Sequence, residues 1–155
     1  MNGPAAGAFR ERFGRDATAV ASAGGRVNLI GEHTDYHEGF VFPAAIDLRA
    51  TAAGAARDDG RVHIWSDNLG EAVEAVIDDL SPPEALSWRS YVLGPVWALR
   101  EAGHAVRGAD VWIRGDVPFG GGLSSSASIE VAVAGLVARL SGIALTRLEI
   151  ALVAK

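Results

Sequence analysis

The sequence predicts an α+β fold, because segments with strand periodicity and segments with helical periodicity follow one another along the chain. The clearest strand is "RVHIWS" at 61–66, where Val62 and Ile64 alternate with other residue types. The clearest helix lies at 129–140, where apolar residues recur at helical spacing. This stripe comprises Ile129, Val133, Leu136, Val137 and Leu140. Apolar residues make up 49% of the 155-residue chain, enough to build a sizeable core.

Further elements are predicted in the first half of the chain. "PAAGAFRERFG" at 4–14 predicts a short helix, since its two phenylalanines lie four positions apart on one face. "TAVASA" at 18–23 predicts a strand, and 40–56 predicts extended chain. The Asp-Asp-Gly sequence at 58–60 is a turn signal. The segment at 71–78 fits a strand or a helix equally well.

The second half predicts two helices around a strand. "WRSYVLGPVWALREAG" at 88–103 predicts a helix that tolerates an internal proline and ends at a glycine. A strand is predicted at 109–118. Thr146 and Glu149 form a capping-box pattern that begins a last helix. Because no stop signal follows, we expect the chain to end in mid-helix and to be the front part of a longer protein.

Composition excludes several classes of function. The net charge of −5 and the absence of a visible basic face argue against nucleic-acid binding. No run of eighteen apolar residues predicts a membrane span, and the N-terminus does not resemble a signal peptide. Without cysteine there is no disulfide framework and no thiolate metal site. These features predict a cytoplasmic protein without a membrane partner.

A loop rich in glycine and serine, "GDVPFGGGLSSSAS" at 115–128, separates a predicted strand from a long amphipathic helix. The simplest interpretation is a tight turn followed by a serine N-cap. Three successive glycines and four serines exceed what such a turn needs. The first helical turn lacks an acidic residue, because Glu130 comes later, so its amides and dipole remain available for an anion. The pattern favours phosphate binding.

Two widespread types of phosphate loop do not fit this segment. A Walker A loop ends in Gly-Lys-Ser or Gly-Lys-Thr, and 115–128 contains no lysine. A Rossmann fingerprint would need its third glycine where Ser125 stands. The loop is therefore expected to hold phosphate through backbone amides, hydroxyl groups and a divalent metal.

A polar stretch at 25–43 interrupts the apolar sequence and allows three interpretations. His33 and His37 have the spacing of a metal site, but the His-Glu-x-x-His order is absent and flanking glycines disfavour a helix. A solvated acidic turn is also possible, although apolar segments lie on both sides. The third interpretation is recognition of a polyol, whose adjacent hydroxyls need several converging partners because an unpaired buried hydroxyl costs about 1–3 kcal/mol.

Two segments together resemble the galactokinases, which belong to the GHMP family of small-molecule kinases. "GRVNLIGEHTDY" at 25–36 is similar to the galactose-binding signature, and "PFGGGLSSSAS" at 118–128 is similar to the phosphate loop of the whole family. "RVHIWSDN" and "SWRSYVLG" also resemble galactokinase segments, so the resemblance covers about residues 8–155. It implies one domain over 1–155: the N-terminal lobe of a GHMP kinase, with a mixed β-sheet and helices on one side, truncated before the second lobe.

The resemblance implies ATP-dependent transfer of a phosphoryl group to the anomeric hydroxyl of galactose, with Mg²⁺. Arg26 matches the arginine beside the reacting hydroxyl, where it would keep the catalytic aspartate ionised. The residues that match the sugar-binding turn are Glu32, His33, Thr34 and Asp35.

The same resemblance assigns nucleotide contacts. The matching phosphate cradle is Gly120, Gly121, Gly122, Leu123, Ser124, Ser125 and Ser126. Ser126 matches a magnesium ligand, and Ser66 and Trp88 fall near the base pocket. One departure is Gly24, where many relatives have proline, and this glycine is expected to loosen the turn before Arg26.

The family's catalytic aspartate and magnesium-binding glutamate match no residue here, so we expect the isolated chain to be inactive. Two alternatives remain for the longer protein. It could phosphorylate a related sugar, such as N-acetylgalactosamine, arabinose or galacturonate. It could also be a non-catalytic sugar sensor, although the intact "GLSSSAS" at 122–128 argues against this.

Overall fold

The computed structural model describes residues 3–31, 39–82 and 85–154. Its strands form one mixed sheet in the order β1-β2-β5-β3-β4, and the bounds are β1 (Ala19–Ile30), β2 (Phe42–Arg57), β3 (Arg61–Ser66), β4 (Glu71–Val76) and β5 (Gly108–Gly115). The helices are α1 (Pro4–Phe13), α2 (Trp88–Glu101), α3 (Ser125–Leu140) and α4 (Arg147–Val153), with a short 3₁₀ turn at Ile77–Asp79. The predicted mixed sheet packed with helices is confirmed.

Strand pairing resolves the ambiguous segment at 71–78. It forms strand β4, followed by the 3₁₀ turn, because Glu71–Val76 pairs antiparallel with Arg61–Ser66. Strand β3 also pairs in parallel with β5, so a crossover that contains α2 connects the β3–β4 hairpin to the centre of the sheet.

Strand β1 extends further than the predicted strand at 18–23, since it continues to Ile30 and includes the start of the polar stretch. Pairing with β2 supports this extension, but the register shifts beyond Gly24. Gly24 faces Arg49, whereas Arg26 faces Ala45, so β2 bulges between these pairs. The expected loose turn at Gly24 is therefore wrong, because this residue lies within a paired strand.

The helices do not all lie on one side of the sheet, and that part of the expectation is wrong. Helices α2 and α3 cover one face, where the core includes Val62, Ile64 and the buried residues of the predicted α3 stripe. Helix α1 packs on the other face, where fully buried Phe9 lies in one cluster with Trp112. Successive residues of a strand point to opposite faces, so the sheet buries side chains on both.

A buried carboxylate fastens the α1 side of the sheet. Asp110 in β5 accepts a hydrogen bond from Arg15 at 2.6 Å and another from Arg57 at 2.7 Å. Arg57 also binds Asp59, and these hydrogen bonds raise the pKa of Arg57 and lower that of the Asp59 carboxyl. The arginine pair supplies the compensation that a buried charge needs.

The capping box predicted for α4 is confirmed. The Thr146 hydroxyl accepts from the Glu149 N–H at 3.2 Å, and the Glu149 carboxylate accepts from the Thr146 N–H at 2.7 Å. The Thr146 N–H and hydroxyl both donate to this carboxylate, and these two bonds lower the pKa of Glu149. The helix ends at Val153 and Ala154 lies in a turn, while Lys155 lies outside the described residues. None of the described helices is long and apolar enough to cross a bilayer.

Candidate active site

The glycine- and serine-rich loop connects the end of β5 to the start of α3 and alternates between two backbone regions. Gly120, Gly122 and Ser124 have φ of 72°, 68° and 60°, whereas the residues between them do not have positive φ. Among the described residues, Ser124 is the one position with positive φ that is not glycine. Alternation of this kind turns successive N–H groups into a concavity that suits an anion.

The simple serine-cap interpretation of the loop is not realised. Ser124 occupies the N-cap position of α3, but its side chain makes no capping hydrogen bond. The first turn of α3 also lacks an acidic residue. The Ser128 hydroxyl donates to the Ser125 carbonyl at 2.8 Å, which directs it back into the helix. The uncapped helix N-terminus thus remains suited to a phosphate group.

The loop lies directly against strand β1. The Arg26 N–H donates to the carbonyl of Leu123 at 3.0 Å. A Cβ atom on Gly25 would lie only 2.7 Å from the same carbonyl oxygen, which is closer than real Cβ contacts come. This position therefore needs glycine so that the strand can approach the loop. The structure joins the two sequence motifs at this contact.

Arg26 is half-buried beside the loop. Within the described ranges, the Arg26 side chain has no hydrogen-bond or ion-pair partner. Glu32, His33, Thr34 and Asp35 lie outside the described residues, as does His37. Strand β1 nevertheless continues past the loop to Ile30, so the sugar-binding motif begins next to the phosphate loop.

Ser66 and Trp88 lie together around a pocket of about 280 Å³. Ser66 is buried at the end of β3, and the Trp88 indole N–H donates to the Glu71 carboxylate at 3.1 Å. Phe119 extends this pocket towards the phosphate loop. An apolar pocket that ends at a phosphate loop suits a nucleotide whose base inserts there.

Among the further residues that line this pocket, sequence reasoning missed three that are polar or aromatic: Asn68, Tyr91 and Phe119. Two of them had a usable signal. Tyr91 lies three positions after Trp88, on the same helical face, and Phe119 directly precedes the glycines. Asn68 had no usable sequence signal, because its place in the pocket depends on the neighbouring strand β5.

Two carboxylates hold a single arginine close to the start of the loop. The Arg114 guanidinium lies 3.2 Å from the carboxylates of both Asp67 and Asp116. These contacts raise the pKa of Arg114. Arg114 is thus engaged by carboxylates, and the backbone amides at the start of α3 remain as a source of positive potential at the loop.

Two family profiles match the chain. The profile described as the galactokinase galactose-binding signature matches residues 7–56, and the GHMP kinases N terminal domain matches residues 90–155. Over these ranges the chain matches the GHMP kinase family. Both predicted motifs fall inside the matched ranges, and so does the contact between Arg26 and Leu123.

Individual relatives agree with this family. The galactokinase of Streptomyces coelicolor is 50% identical over 127 residues, covering 81% of this chain and 33% of its own length. That of Streptococcus suis is 42% identical over 151 residues, covering 96% of this chain and 39% of its own. The chain thus spans little more than a third of the length of the curated relatives that it matches.

Solved structures show the same fold. The crystal structure of Lactococcus lactis galactokinase complexed with galactose matches with a TM-score of 0.84 and 37% identity, over 96% of this chain and 39% of that one. Methanococcus jannaschii mevalonate kinase matches with a TM-score of 0.77 and 21% identity, over 88% of this chain and 44% of the mevalonate kinase chain. The second match supports the fold alone.

Proposed function

We propose that this chain is the sugar- and phosphate-binding part of a galactokinase, which phosphorylates the anomeric hydroxyl of galactose with ATP to give galactose 1-phosphate. The observation that carries the proposal is the hydrogen bond from the Arg26 N–H to the Leu123 carbonyl at 3.0 Å. It places the strand that begins the galactose-binding motif against the loop expected to hold the phosphates. The galactokinase relatives and the galactose-bound structural match support this choice of sugar.

The residues divide the proposed reaction between them. Amides of Gly120–Ser126 hold the nucleotide phosphates, and the pocket at Ser66 and Trp88 receives the base. Arg26 stabilises charge on the transferring group and favours the ionised form of a carboxylate base. Glu32, His33, Thr34 and Asp35 orient the sugar. Positioning and charge stabilisation supply most of the catalysis in phosphoryl transfer.

Ser126 suits a magnesium ion. Its hydroxyl is the kind of hard oxygen ligand that Mg²⁺ prefers, and the residue is half-buried at the start of α3. In the described part of the chain, this hydroxyl has no hydrogen-bond partner. When bound there with ATP, the ion would neutralise charge on the phosphate oxygens.

Calorimetry with purified chain tests the binding part of the proposal. We expect Mg·ATP and galactose each to bind, and glucose to bind far more weakly. N-acetylgalactosamine, arabinose and galacturonate test the related sugars, and tighter binding of any of them would replace galactose as the substrate. Absence of ATP binding would contradict the phosphate-loop assignment. Galactose-dependent ADP release by the isolated chain would show that a base lies within 1–155.

A further inference from the structure

The turn after strand β3 contains Asn68, whose side chain makes a double hydrogen bond with the backbone of Gly115. The Asn68 amide group donates to the Gly115 carbonyl at 2.8 Å. The Asn68 side-chain oxygen accepts from the Gly115 N–H, also at 2.8 Å. A side-chain amide has one donor side and one acceptor side, so it can imitate a neighbouring peptide group.

These two hydrogen bonds extend the contact between β3 and β5 beyond Ser66, the last residue of β3. The regular parallel pairing ends where Ser66 faces Ile113, and the Asp67 N–H then donates to the Ile113 carbonyl at 2.9 Å. The side chain of Asn68 next satisfies both backbone groups of Gly115, the last residue of β5. Without it, these groups would have to find other partners at the end of the strand.

Gly115 is the residue from which the phosphate loop departs. On the β2 side, the Asp116 N–H donates to the Arg49 carbonyl at 2.8 Å. Val117 is then buried, and the glycines begin three residues later, at Gly120. The base of the loop is therefore held by β2 on one side and by Asn68 on the other. Asn68 also lines the pocket that contains Ser66 and Trp88.

We propose that Asn68 is a positioning residue, which fixes the base of the phosphate loop relative to the nucleotide-base pocket. It makes this link through Gly115 rather than through the phosphates. The link to nucleotide binding rests on the proposed function. The hydrogen bonds by which Asn68 holds the base of the loop are a property of the chain alone. A base and a triphosphate that bind in one piece need both subsites at a fixed separation.

Hydrogen exchange of backbone amides tests the hold on the loop without any ligand. In Asn68→Ala, we expect exchange to rise by about tenfold at Gly115 and through 116–124, as for the loss of one or two net hydrogen bonds. The variant Asn68→Asp keeps the acceptor but loses the donor, and should behave similarly. Asp78→Ala, an exposed change in the 3₁₀ turn, is the control. Unchanged exchange at 115–124 in both Asn68 variants would overturn the proposal.

Calorimetry with two ligands tests the link to the nucleotide. Adenosine uses the base pocket alone, whereas ATP uses both subsites. Asn68→Ala leaves the net charge of the chain unchanged. In this variant we expect ATP affinity to fall about tenfold while adenosine affinity stays within about twofold. Equal losses for both ligands would overturn the link, since Asn68 would then act on the base pocket. If the parent chain binds no ATP while loop exchange still responds, the proposed function fails and the positioning of the loop stands.

Discussion

Arg26 and Leu123 lie 97 positions apart in the numbering, yet their backbones share a hydrogen bond of 3.0 Å from the Arg26 N–H to the Leu123 carbonyl. Neighbouring Gly25 permits this approach, because the space for a Cβ atom is already filled by the Leu123 carbonyl oxygen. The sugar motif and the phosphate loop therefore cannot move independently at this point.

Gly25→Ala should separate strand from loop. A Cβ atom would meet the Leu123 oxygen at 2.7 Å, so we expect a loss of stability of about 1–3 kcal/mol and weaker ATP binding. Denaturant unfolding and calorimetry measure the two effects. Gly7→Ala is the matched control, because nothing lies within 4 Å of its Cβ position in helix α1 and it should be neutral or stabilising. Equal stability of both variants would contradict the close contact.

Gly121→Val should weaken ATP binding without unfolding the chain. Gly121 does not have positive φ, and the nearest atom to its Cβ position is 3.7 Å away, so the fold itself tolerates a side chain. A branched side chain would still occupy the approach path of phosphate to the loop amides. The assignment fails if calorimetry gives the same ATP affinity for the variant and the parent.

Arg26→Ala should affect catalysis more than folding. Its side chain has no partner within the described ranges, so thermal unfolding should change little. In a longer active protein, we expect kcat to fall about 10²–10³-fold, as for loss of one preorganised charge contact. Arg26→Lys should recover only part, because a point charge cannot reproduce the planar fork. An unchanged kcat in steady-state assays would make Arg26 structural.

Asp110→Ala should destabilise the fold strongly. The change removes the carboxylate that accepts from Arg15 and Arg57, and hydrogen bonds to charged groups are worth about 1.5–3 kcal/mol each. Denaturant unfolding gives the free energy. The exposed pair Arg107–Asp58 provides the control, because Asp58→Ala should cost less than about 1 kcal/mol. Similar losses of unfolding free energy in both variants would contradict a structural role for Asp110.

Glu130→Gln should stabilise the chain at neutral pH. Burial raises the pKa of Glu130, so the folded state disfavours its charged form. For an acid shifted in this direction, stability decreases as pH rises through the ordinary glutamate pKa, about 4.3, towards the folded value. The gain from glutamine should therefore be present at pH 7 and vanish below about pH 4. Thermal melts across pH measure it, with Glu11→Gln, an exposed change in helix α1, as the reference variant.

Local sequence signals predicted the elements that depend on neighbours in the chain. The capping box of Thr146 and Glu149 is one case, since both partners lie within one helical turn. Short-range geometry determines such features, so the sequence contains them.

Features that depend on tertiary neighbours could not be predicted. Nothing in the helical stripe of α1 says which sheet face it covers, and that face depends on Phe9 meeting Trp112. Gly25 has no sequence signal for its contact with Leu123 beyond being a glycine. The double hydrogen bond of Asn68 likewise depends on the position of β5, 47 residues along the chain. The sugar-turn residues Glu32, His33, Thr34 and Asp35 remain predictions.

The strand order β1-β2-β5-β3-β4 has a consequence for the order of assembly during folding. The hairpins β1–β2 and β3–β4 join strands that are close in sequence and can form early, whereas β5 must insert between them. We therefore expect β5 to insert after the two hairpins have formed, because it joins segments that are more distant in sequence. Because the proposed phosphate loop directly follows β5, we expect the nucleotide cradle to form only once this central strand is in place.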